Sequence, residues 1–290
     1  MMQTMPIHNP RTPSQPSPLA RGRDRVGVAR GVTLIELVMV LVITGVIGTM
    51  VAVFIRQPVE GYLDTARRAE MTDIADTALR RITRDLRTAV PNSVRVDGAG
   101  KYIEYLQSSG GGRYRAEVDS AGGGNILDFT IADTSFDVIG PMPALAAGNF
   151  IVIYNLTSDP AISTANAYAL DNLANYASNS PPTITLSAGK LFPFPSPGKR
   201  FQVVQYPVTY ACEGGVLRRY WGYTIQHTPQ PAPPSGGNSA LLATNVTDCS
   251  FSYSTSGASG RTGTVALVLQ IEESGEKVRL FQQAHVNNVP

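Results

Sequence analysis

The sequence predicts an α+β protein, with a long N-terminal helix followed by an antiparallel, β-rich globular head. An uninterrupted apolar run over residues 32–55 and helical spacing that continues to residue 90 predict the helix. The spacing of apolar residues changes to every second position after residue 91, which predicts the strands of the head. The chain has 290 residues, 43% of them hydrophobic, and a net charge of +2. These values exclude a wholly disordered chain and favour no nucleic-acid partner.

Residues 1–30 form a basic leader. They contain one acid, Asp24, and carry a net charge of +4, so the rest of the chain sums to −2. Met5 is an alternative start. Cationic residues just before an apolar span remain in the cytoplasm, which predicts a cytoplasmic N-terminus and a periplasmic head. The five cations are Arg11, Arg21, Arg23, Arg25 and Arg30.

Residues 32–55 are predicted to cross the lipid bilayer once. A helix of this length rises 1.5 Å per residue and covers the ~30 Å hydrocarbon core. A secretory signal is a poorer interpretation, because its apolar core is shorter and ends at a small-residue cleavage site. Glu36 is the one ionisable residue in the run. A buried carboxylate needs a partner, although an acid near the cytoplasmic headgroups is an alternative interpretation.

The segment RGVTLIEL at residues 30–37 resembles the class III signal of type IV prepilins and of type II secretion pseudopilins. The resemblance implies that prepilin peptidase cuts after Gly31 on the cytoplasmic side and so removes a cytoplasmic leader of residues 1–31. Val32 then becomes the first mature residue and the candidate for N-methylation, where the commonest family pattern has phenylalanine. Glu36 becomes the fifth mature residue. The resemblance also implies the type IV pilin fold, a helical spine with a β-rich head.

In an assembled filament, the Glu36 carboxylate of one subunit can pair with the α-amine of its neighbour, which would fix the axial register. The resemblance therefore implies other minor and major pilin subunits, together with the inner-membrane pilus assembly machinery, as partners. We expect the protein in the inner membrane first and in the filament or its tip afterwards. The tip is favoured because a head of 200 residues (91–290) is bulky for repeated stacking.

Further stretches are similar to minor pilins of the mannose-sensitive haemagglutinin (MSHA) pilus. This similarity implies assembly or initiation of an MSHA-type type IV pilus, with a minor pseudopilin of type II secretion as the alternative. The stretches are GYLDTARRAE at 61–70, LRRITRDL at 79–86, PNSVR at 91–95, RYWGY at 219–223 and HVNNVP at 285–290.

Residues 56–90 are predicted to continue the helix as an amphipathic segment, with a bend near Pro58 and an end before Pro91. Pairs Asp64–Arg68 and Asp76–Arg80 have i,i+4 spacing on the outer face. Four arginines are interpreted as a solvated face bridged to Asp76 and Asp85 rather than as a site for an anion. These arginines are Arg80, Arg81, Arg84 and Arg87.

The head is predicted to contain ten strands joined by turns and loops. Gly110–Gly112 and Gly122–Gly124 are interpreted as turns, Ala161–Ser180 as an insertion loop and Pro229–Gly237 as a stiff connector. The expected strands are Tyr102–Gln107, Arg113–Val118, Ile126–Ile131, Phe150–Leu156, Thr183–Ser187, Phe201–Tyr210, Val216–Ile225, Cys249–Tyr253, Thr264–Ile271 and Lys277–Gln283.

Cys212 and Cys249 are expected to form a disulfide, because a head outside the cytoplasm is in an oxidising compartment. Trp221 and Tyr223 are interpreted as core or edge aromatics, with a sugar-binding platform as the alternative. A membrane-anchored periplasmic enzyme is the rival function, but the head lacks HExxH, GxSxG and SxxK motifs.

The sequence therefore predicts no enzyme activity, no cofactor and no metal site. Asp128, Asp133 and Asp137 fall in one stretch, but the glycine and the terminal glutamate of an EF-hand are missing. The three histidines lie far apart, and the two cysteines have no CxxC spacing, which argues against zinc.

Overall fold

The structure is a computed structural model that describes residues 31–228, 234–256 and 261–290. The chain divides into two compact units, Met1–Pro58 and Val59–Pro290. Residues 1–30 of the expected leader (1–31), and residues 229–233 of the expected connector, lie outside the described residues.

The long helix α1 runs from Leu34 to Leu86 and includes Pro58, where the sequence predicts a bend. Within the first unit, the apolar side chains of its residues 34–55 are exposed. In the described ranges this is the one helix that is long and apolar enough to cross a membrane, by length and composition. The expectation of a long apolar N-terminal helix is confirmed, and the helix is compatible with a single-pass membrane anchor.

The described part of the head contains twelve strands and one short 3₁₀ helix, Ala167–Ala169. The strands are β1 (Arg95–Val96), β2 (Tyr102–Tyr114), β3 (Asp133–Ile139), β4 (Phe150–Ile153), β5 (Leu173–Ser180), β6 (Thr183–Lys190), β7 (Arg200–Glu213), β8 (Val216–Trp221), β9 (Asn238–Ala243), β10 (Val246–Ser256), β11 (Thr262–Glu273) and β12 (Glu276–Asn287).

Every strand pairing in the head is antiparallel. Nine strands form one sheet in the order β1-β2-β3-β6-β5-β4-β7-β8-β9, and β10-β11-β12 form a second sheet. The additional pairing of β2 with β7 closes a circuit of six strands, β2-β3-β6-β5-β4-β7. The fold is therefore α+β, and the head contains a closed, barrel-like part.

The second half of α1 is covered by both sheets. Its buried residues follow helical spacing, and Ile82 and Leu86 are fully buried. They share one core with Tyr105 and Tyr210 of the large sheet and with Leu267 of the small sheet. Burying a leucine or isoleucine side chain stabilises a fold by about 1.5–3 kcal/mol, so this contact holds the segment firmly in the head. The helical members of the core are Met71, Ala75, Ala78, Leu79, Ile82 and Leu86.

A second core fills the closed circuit of strands. Phe136 and Phe201 meet edge to face with their ring centroids 5.4 Å apart. Tyr114, Ile151 and Ile184 from other strands of the circuit pack into the same cluster. The head therefore has a helix-containing core, a separate core made by strands and loops, and a smaller third cluster around Tyr168.

Nine of the ten expected strands lie within or overlap a strand of the structure. The strand at Ile126–Ile131 is wrong, and that at Arg113–Val118 is wrong beyond Tyr114, because residues 115–131 are irregular. In this segment, side-chain carboxylates accept hydrogen bonds from backbone amides that would otherwise pair with a neighbouring strand. Asp137 accepts from the Asn125 amide at 2.9 Å, and Asp133 accepts from the Asp128 amide at 2.9 Å.

Gly110–Gly112 does not form a turn but lies within β2, paired with β7. A Cβ on Gly111 would lie 2.4 Å from the Phe201 carbonyl oxygen. A Cβ on Gly112 would lie 2.9 Å from the Phe201 ring. The glycines therefore allow two strands to approach closely, which their composition alone does not distinguish from a turn.

Two other expectations fail in the head. The segment Ala161–Ser180 is not a loop throughout, because its last eight residues form β5. Strand β9 was not expected, since Asn238–Ala243 follows a Pro/Gly-rich stretch and has weak alternation. β9 forms because it pairs with β8, a contact that local sequence does not reveal.

Of the two helical ion pairs, Asp76–Arg80 is confirmed, with Arg80 Nε 2.6 Å from Asp76 Oδ2. The pairing of Asp64 with Arg68 is wrong. Asp64 instead contacts Arg67, and Arg68 reaches Glu276 at the start of β12. The second contact links the helix to the edge strand of the small sheet.

Candidate processing and assembly segment

Gly31, Val32 and Thr33 precede the first helical residue of α1. The Val32 side chain is exposed, and a Cβ added to Gly31 would meet no atom within 4 Å. A protease binds its substrate in an extended conformation. A peptide bond outside the helix can adopt this conformation without unfolding of the helix, whereas a helical one cannot. The peptide bond between Gly31 and Val32 meets this requirement.

Thr33 caps the helix that follows. Its hydroxyl oxygen accepts a hydrogen bond from the Glu36 amide at 3.3 Å, and its carbonyl accepts from the Leu37 amide at 3.1 Å. Threonine followed three residues later by glutamate is the sequence pattern of a capping box. The Thr33-x-x-Glu36 spacing is a sequence signal for this cap, and the interpretation of Glu36 as an assembly charge does not include it.

Glu36 lies in the first turn of α1, where a negative charge interacts favourably with the helix dipole. Its residue is exposed, and no ion pair to it occurs among the residues that the structure describes. The carboxylate therefore lies exposed at the start of the helix, where the helix dipole favours a negative charge.

The apolar surface of residues 34–55 contains few polar groups, and the two threonine hydroxyls within it are satisfied by the helix itself. The Thr44 hydroxyl donates to the Val40 carbonyl at 2.5 Å, and the Thr49 hydroxyl donates to the Val46 carbonyl at 2.8 Å. Backbone and side-chain donors must be satisfied internally where water is absent. Apart from Glu36, this segment therefore suits an apolar environment.

At the other end of α1, Asp85 anchors the helix to the large sheet. Its Oδ2 atom accepts from the Tyr210 hydroxyl at 2.6 Å and from Arg219 Nε at 3.1 Å. Arg219 also donates to Gln107 Oε1 at 2.9 Å, and its guanidinium lies 4.8 Å from the Trp221 ring centroid. Burial, and then the hydrogen bond to the Asp85 carboxylate, raise the pKa of Tyr210 well above its usual value.

This arrangement corrects the expected role of Asp85. The sequence predicts that Asp85 bridges the exposed arginines of the helix, whereas its carboxylate points into the head. The i,i+4 and i,i+3 spacings suggested local partners, but the partner is 134 residues away. Asp85 and Arg219 are mostly buried, so each neutralises a charge that would be costly alone.

A second buried ion pair holds the chain just before residue 229. Arg95 Nε donates to Glu104 Oε2 at 2.7 Å, and Arg95 NH1 donates to the His227 carbonyl at 2.9 Å. The guanidinium lies 3.7 Å from the Tyr168 ring centroid. The Tyr223 hydroxyl donates to Glu104 Oε1 at 3.0 Å. Burial, with the nearby Glu104 charge, raises the pKa of Tyr223 far above its usual value.

The interpretation of Trp221 and Tyr223 as core or edge aromatics is confirmed. Tyr223 is buried, so its ring is not accessible as a sugar platform. Trp221 is half-buried at the end of β8 and packs against the core that contains the helix.

The expected disulfide is confirmed. Cys212 near the end of β7 is bonded to Cys249 in β10, with a separation of 37 residues. The bond joins the large sheet to the small one, and both cysteines pack in the core that contains the helix.

The three aspartates of the rejected calcium loop are occupied by local hydrogen bonds. Burial alone would raise the pKa of Asp137, but hydrogen bonds from Thr183 and the Asn125 amide, with the Arg115 charge, lower it overall. Within the described ranges there is no group of three His, Cys, Asp or Glu residues that could hold a metal ion.

Comparison of the chain with protein-family models, with curated proteins and with solved structures found no match.

Proposed function

We propose that this chain is a minor, prepilin-like pilin that takes part in the assembly or initiation of an MSHA-type type IV pilus. In this proposal it is anchored in the inner membrane and then enters the filament, at the tip. The observation that carries the proposal is the segment GVTLIEL at residues 31–37, placed directly at the start of a long, exposed apolar helix that leads to a β-rich head.

The accessible position of Gly31 and Val32 supports cleavage by prepilin peptidase. Both residues precede the helix, and the glycine has open space around its Cα atom. Cleavage there would remove the basic leader and create an α-amine four residues before Glu36 in the chain.

The exposure of Glu36 supports a contact between subunits. When the apolar helix is covered by lipid or by other helices, an unpaired carboxylate within it is costly. The α-amine of a neighbouring mature chain supplies the opposite charge. This pairing would neutralise the buried carboxylate and would fix the axial register between subunits.

The unequal covering of the helix supports a filament subunit as well. Residues 71–86 are covered by the head, whereas residues 34–55 present apolar side chains that the described chain leaves uncovered. Lipid would cover this surface before assembly, and neighbouring subunits would cover it afterwards.

Variants of Glu36 test the assembly role. Glu36→Gln keeps a side chain that suits the third position of a capping box but removes its charge. Glu36→Val removes both. We expect both variants to insert and to be cleaved normally, and to lose incorporation into filaments. Filament number and pilus-bound protein would be measured by electron microscopy and immunoblotting.

Thr33→Ala is the matched control, because it removes the hydroxyl cap and leaves the Glu36 charge in place. It should cost about 1 kcal/mol of helix stability and still assemble. A normal number of filaments with Glu36→Gln would reject the charge-pairing role.

Immunogold labelling of the head tests the position in the filament. One or a few labels at one end of each pilus are expected, whereas uniform labelling along the shaft would reject the tip. A strain that lacks the chain separates the two filament systems. Loss of pili is expected, and loss of protein secretion with normal pili would indicate a type II secretion pseudopilin instead.

A further inference from the structure

A cavity lies in the head beside the C-terminal residues, and no step of the proposed assembly uses it. Its volume is about 530 Å³, which falls within the range of small-molecule sites. A neighbouring cavity of about 380 Å³ shares Arg200 and Val289 with it and extends to Arg87 and Ser108. Together they form a groove, which we call the arginine groove.

The walls of the arginine groove are held in place by an asparagine network. Asn92 Nδ2 donates to the Asn155 carbonyl at 2.9 Å and to the Asn288 carbonyl at 3.2 Å. Asn288 Nδ2 in turn donates to the Tyr253 hydroxyl at 2.9 Å. These contacts fix the C-terminal segment as one wall, so the cavity is built from ordered side chains.

Two non-glycine residues of the wall have left-handed backbone conformations. Asn92 has φ of 58° and Tyr154 has φ of 50°. Asparagine tolerates this region, but a bulky tyrosine does so only when the surrounding structure requires it. Such strain concentrates at ligand-binding sites. Here it places Tyr154 on the cavity wall.

The arginines of the groove are not neutralised. Arg87, Arg200 and Arg261 are exposed, and no ion pair to them occurs in the part of the chain that the structure describes. Arg113 lies directly opposite Arg200 across β2 and β7 and also has no ion pair there. Like charges at directly opposed positions of antiparallel strands repel each other. An anion would relieve this repulsion.

We propose that the arginine groove binds a small saccharide that carries a carboxylate. Arg200 and Arg261 present planar guanidinium groups, which bind carboxylates through two parallel hydrogen bonds. Tyr154, Leu156 and Pro197 line the same cavity and offer an apolar surface to the C–H face of a sugar ring. The site thus combines a charge for the acid with an apolar wall for the ring.

A saccharide fits this groove better than an acidic peptide does. Peptides commonly bind by adding a strand to a free sheet edge. Strand β4 already pairs with β5 and β7, and β7 pairs with β2, β4 and β8. The strands of the large sheet that flank the groove therefore have no free edge for a peptide backbone, and the edge strand β12 of the small sheet meets the groove only at its last residue, Asn287.

The test uses the full chain in a non-ionic detergent at low salt, titrated with digalacturonate to about 20 mM and followed by calorimetry. We expect a dissociation constant in the millimolar range, on the order of 1 mM, and weaker binding at higher salt. Lactose, a neutral disaccharide, should not bind measurably. Hexaglutamate is the acidic-peptide probe and should bind more weakly than digalacturonate.

Arg200→Gln and Arg261→Gln should each weaken digalacturonate binding by about tenfold or more, because each removes one guanidinium group that can form two hydrogen bonds with a carboxylate. Arg84→Gln is the matched control: Arg84 is an exposed arginine that lines neither cavity, and its loss should leave binding unchanged. Arg200→Gln should not lower the melting temperature, because it relieves the repulsion with Arg113. Weaker binding by a chain that is at least as stable cannot be attributed to unfolding.

Three results would overturn the proposal: no digalacturonate binding up to the highest concentration, equal binding of lactose, or wild-type affinity in both groove variants. Tighter binding of hexaglutamate than of digalacturonate would also overturn it and would assign the groove to acidic peptides.

Discussion

Two stretches of the same helix have similar apolar residues and opposite environments. In the first unit, Leu41 is 64% exposed, whereas in the second unit Leu79 is 2% exposed. Helix propensity and residue type do not account for this difference, since both are leucines in α1. The head supplies two sheets that cover residues 71–86, whereas the apolar side chains of residues 34–55 are exposed within the first unit. The second stretch is therefore stabilised by its own head, and the first is compatible with a membrane anchor by its length and composition.

The acidic residues of the two stretches differ in the same way. Asp85 has two partners within the head, the Tyr210 hydroxyl and Arg219. Glu36 has a backbone contact to its cap and, in the described ranges, no cation within reach. Asp85 therefore contributes to the packing of the head, whereas a role of Glu36 between subunits is part of the proposed function.

The disulfide should have the largest effect on the head. Cys249→Ser should lower the free energy of unfolding by about 4 kcal/mol, because the bond closes a long loop between the two sheets. Urea unfolding of the full chain in detergent would be followed by the fluorescence of Trp221, which is the one tryptophan. The double variant with Cys212→Ser should lose no more than the single one. Free thiols at both positions in protein from the periplasm would contradict the account.

A pair of isoleucines tests the two environments directly. Ile82→Ala should lower the free energy of unfolding of the head by about 3 kcal/mol, because it leaves a cavity in a fully buried site. Ile47, which is 54% exposed, is the matched control, and Ile47→Ala should leave the unfolding of the head unchanged. Equal losses, by the same urea titration, would show that the stability of the head depends on the first stretch as well.

Two aspartates of α1 compare the contribution of a buried ion pair to the stability of the head with that of an exposed one. Asp85→Asn should cost about 3 kcal/mol, because it leaves the buried Arg219 charge without its anion. Asp76→Asn removes a surface pair with Arg80 and should cost less than about 1 kcal/mol. If the two variants unfold at the same urea concentration, Asp85 does not anchor the helix to the sheet.

The sequence predicted the features that depend on local pattern. The apolar run that includes residues 34–55 predicted the long helix. Clear alternation or high β-propensity predicted strands such as Phe201–Tyr210 and Thr264–Ile271. The disulfide followed from the expected compartment and the presence of two cysteines.

Features that depend on distant partners were not predicted. The closed circuit of six strands requires β2 to pair with β7, about a hundred residues away, at glycines that resemble a turn. Asp85 could not be matched to Arg219 by helical spacing, because its partner lies on β8. The arginine groove brings Arg87, Arg200 and Arg261 around the C-terminal residues, and no spacing in the sequence indicates it.

The most direct test of the central claim is the N-terminus of the chain purified from membranes of cells that contain prepilin peptidase. Intact-mass measurement and N-terminal sequencing should find a chain that begins at Val32 and is lighter by about 3 kDa, the mass of a 31-residue leader. Gly31→Leu should keep the full leader, whereas Gly48→Leu, at a helical glycine that also has open space, should be cleaved normally. A wild-type chain that retains its leader, or equal cleavage of Gly31→Leu, would contradict the assignment.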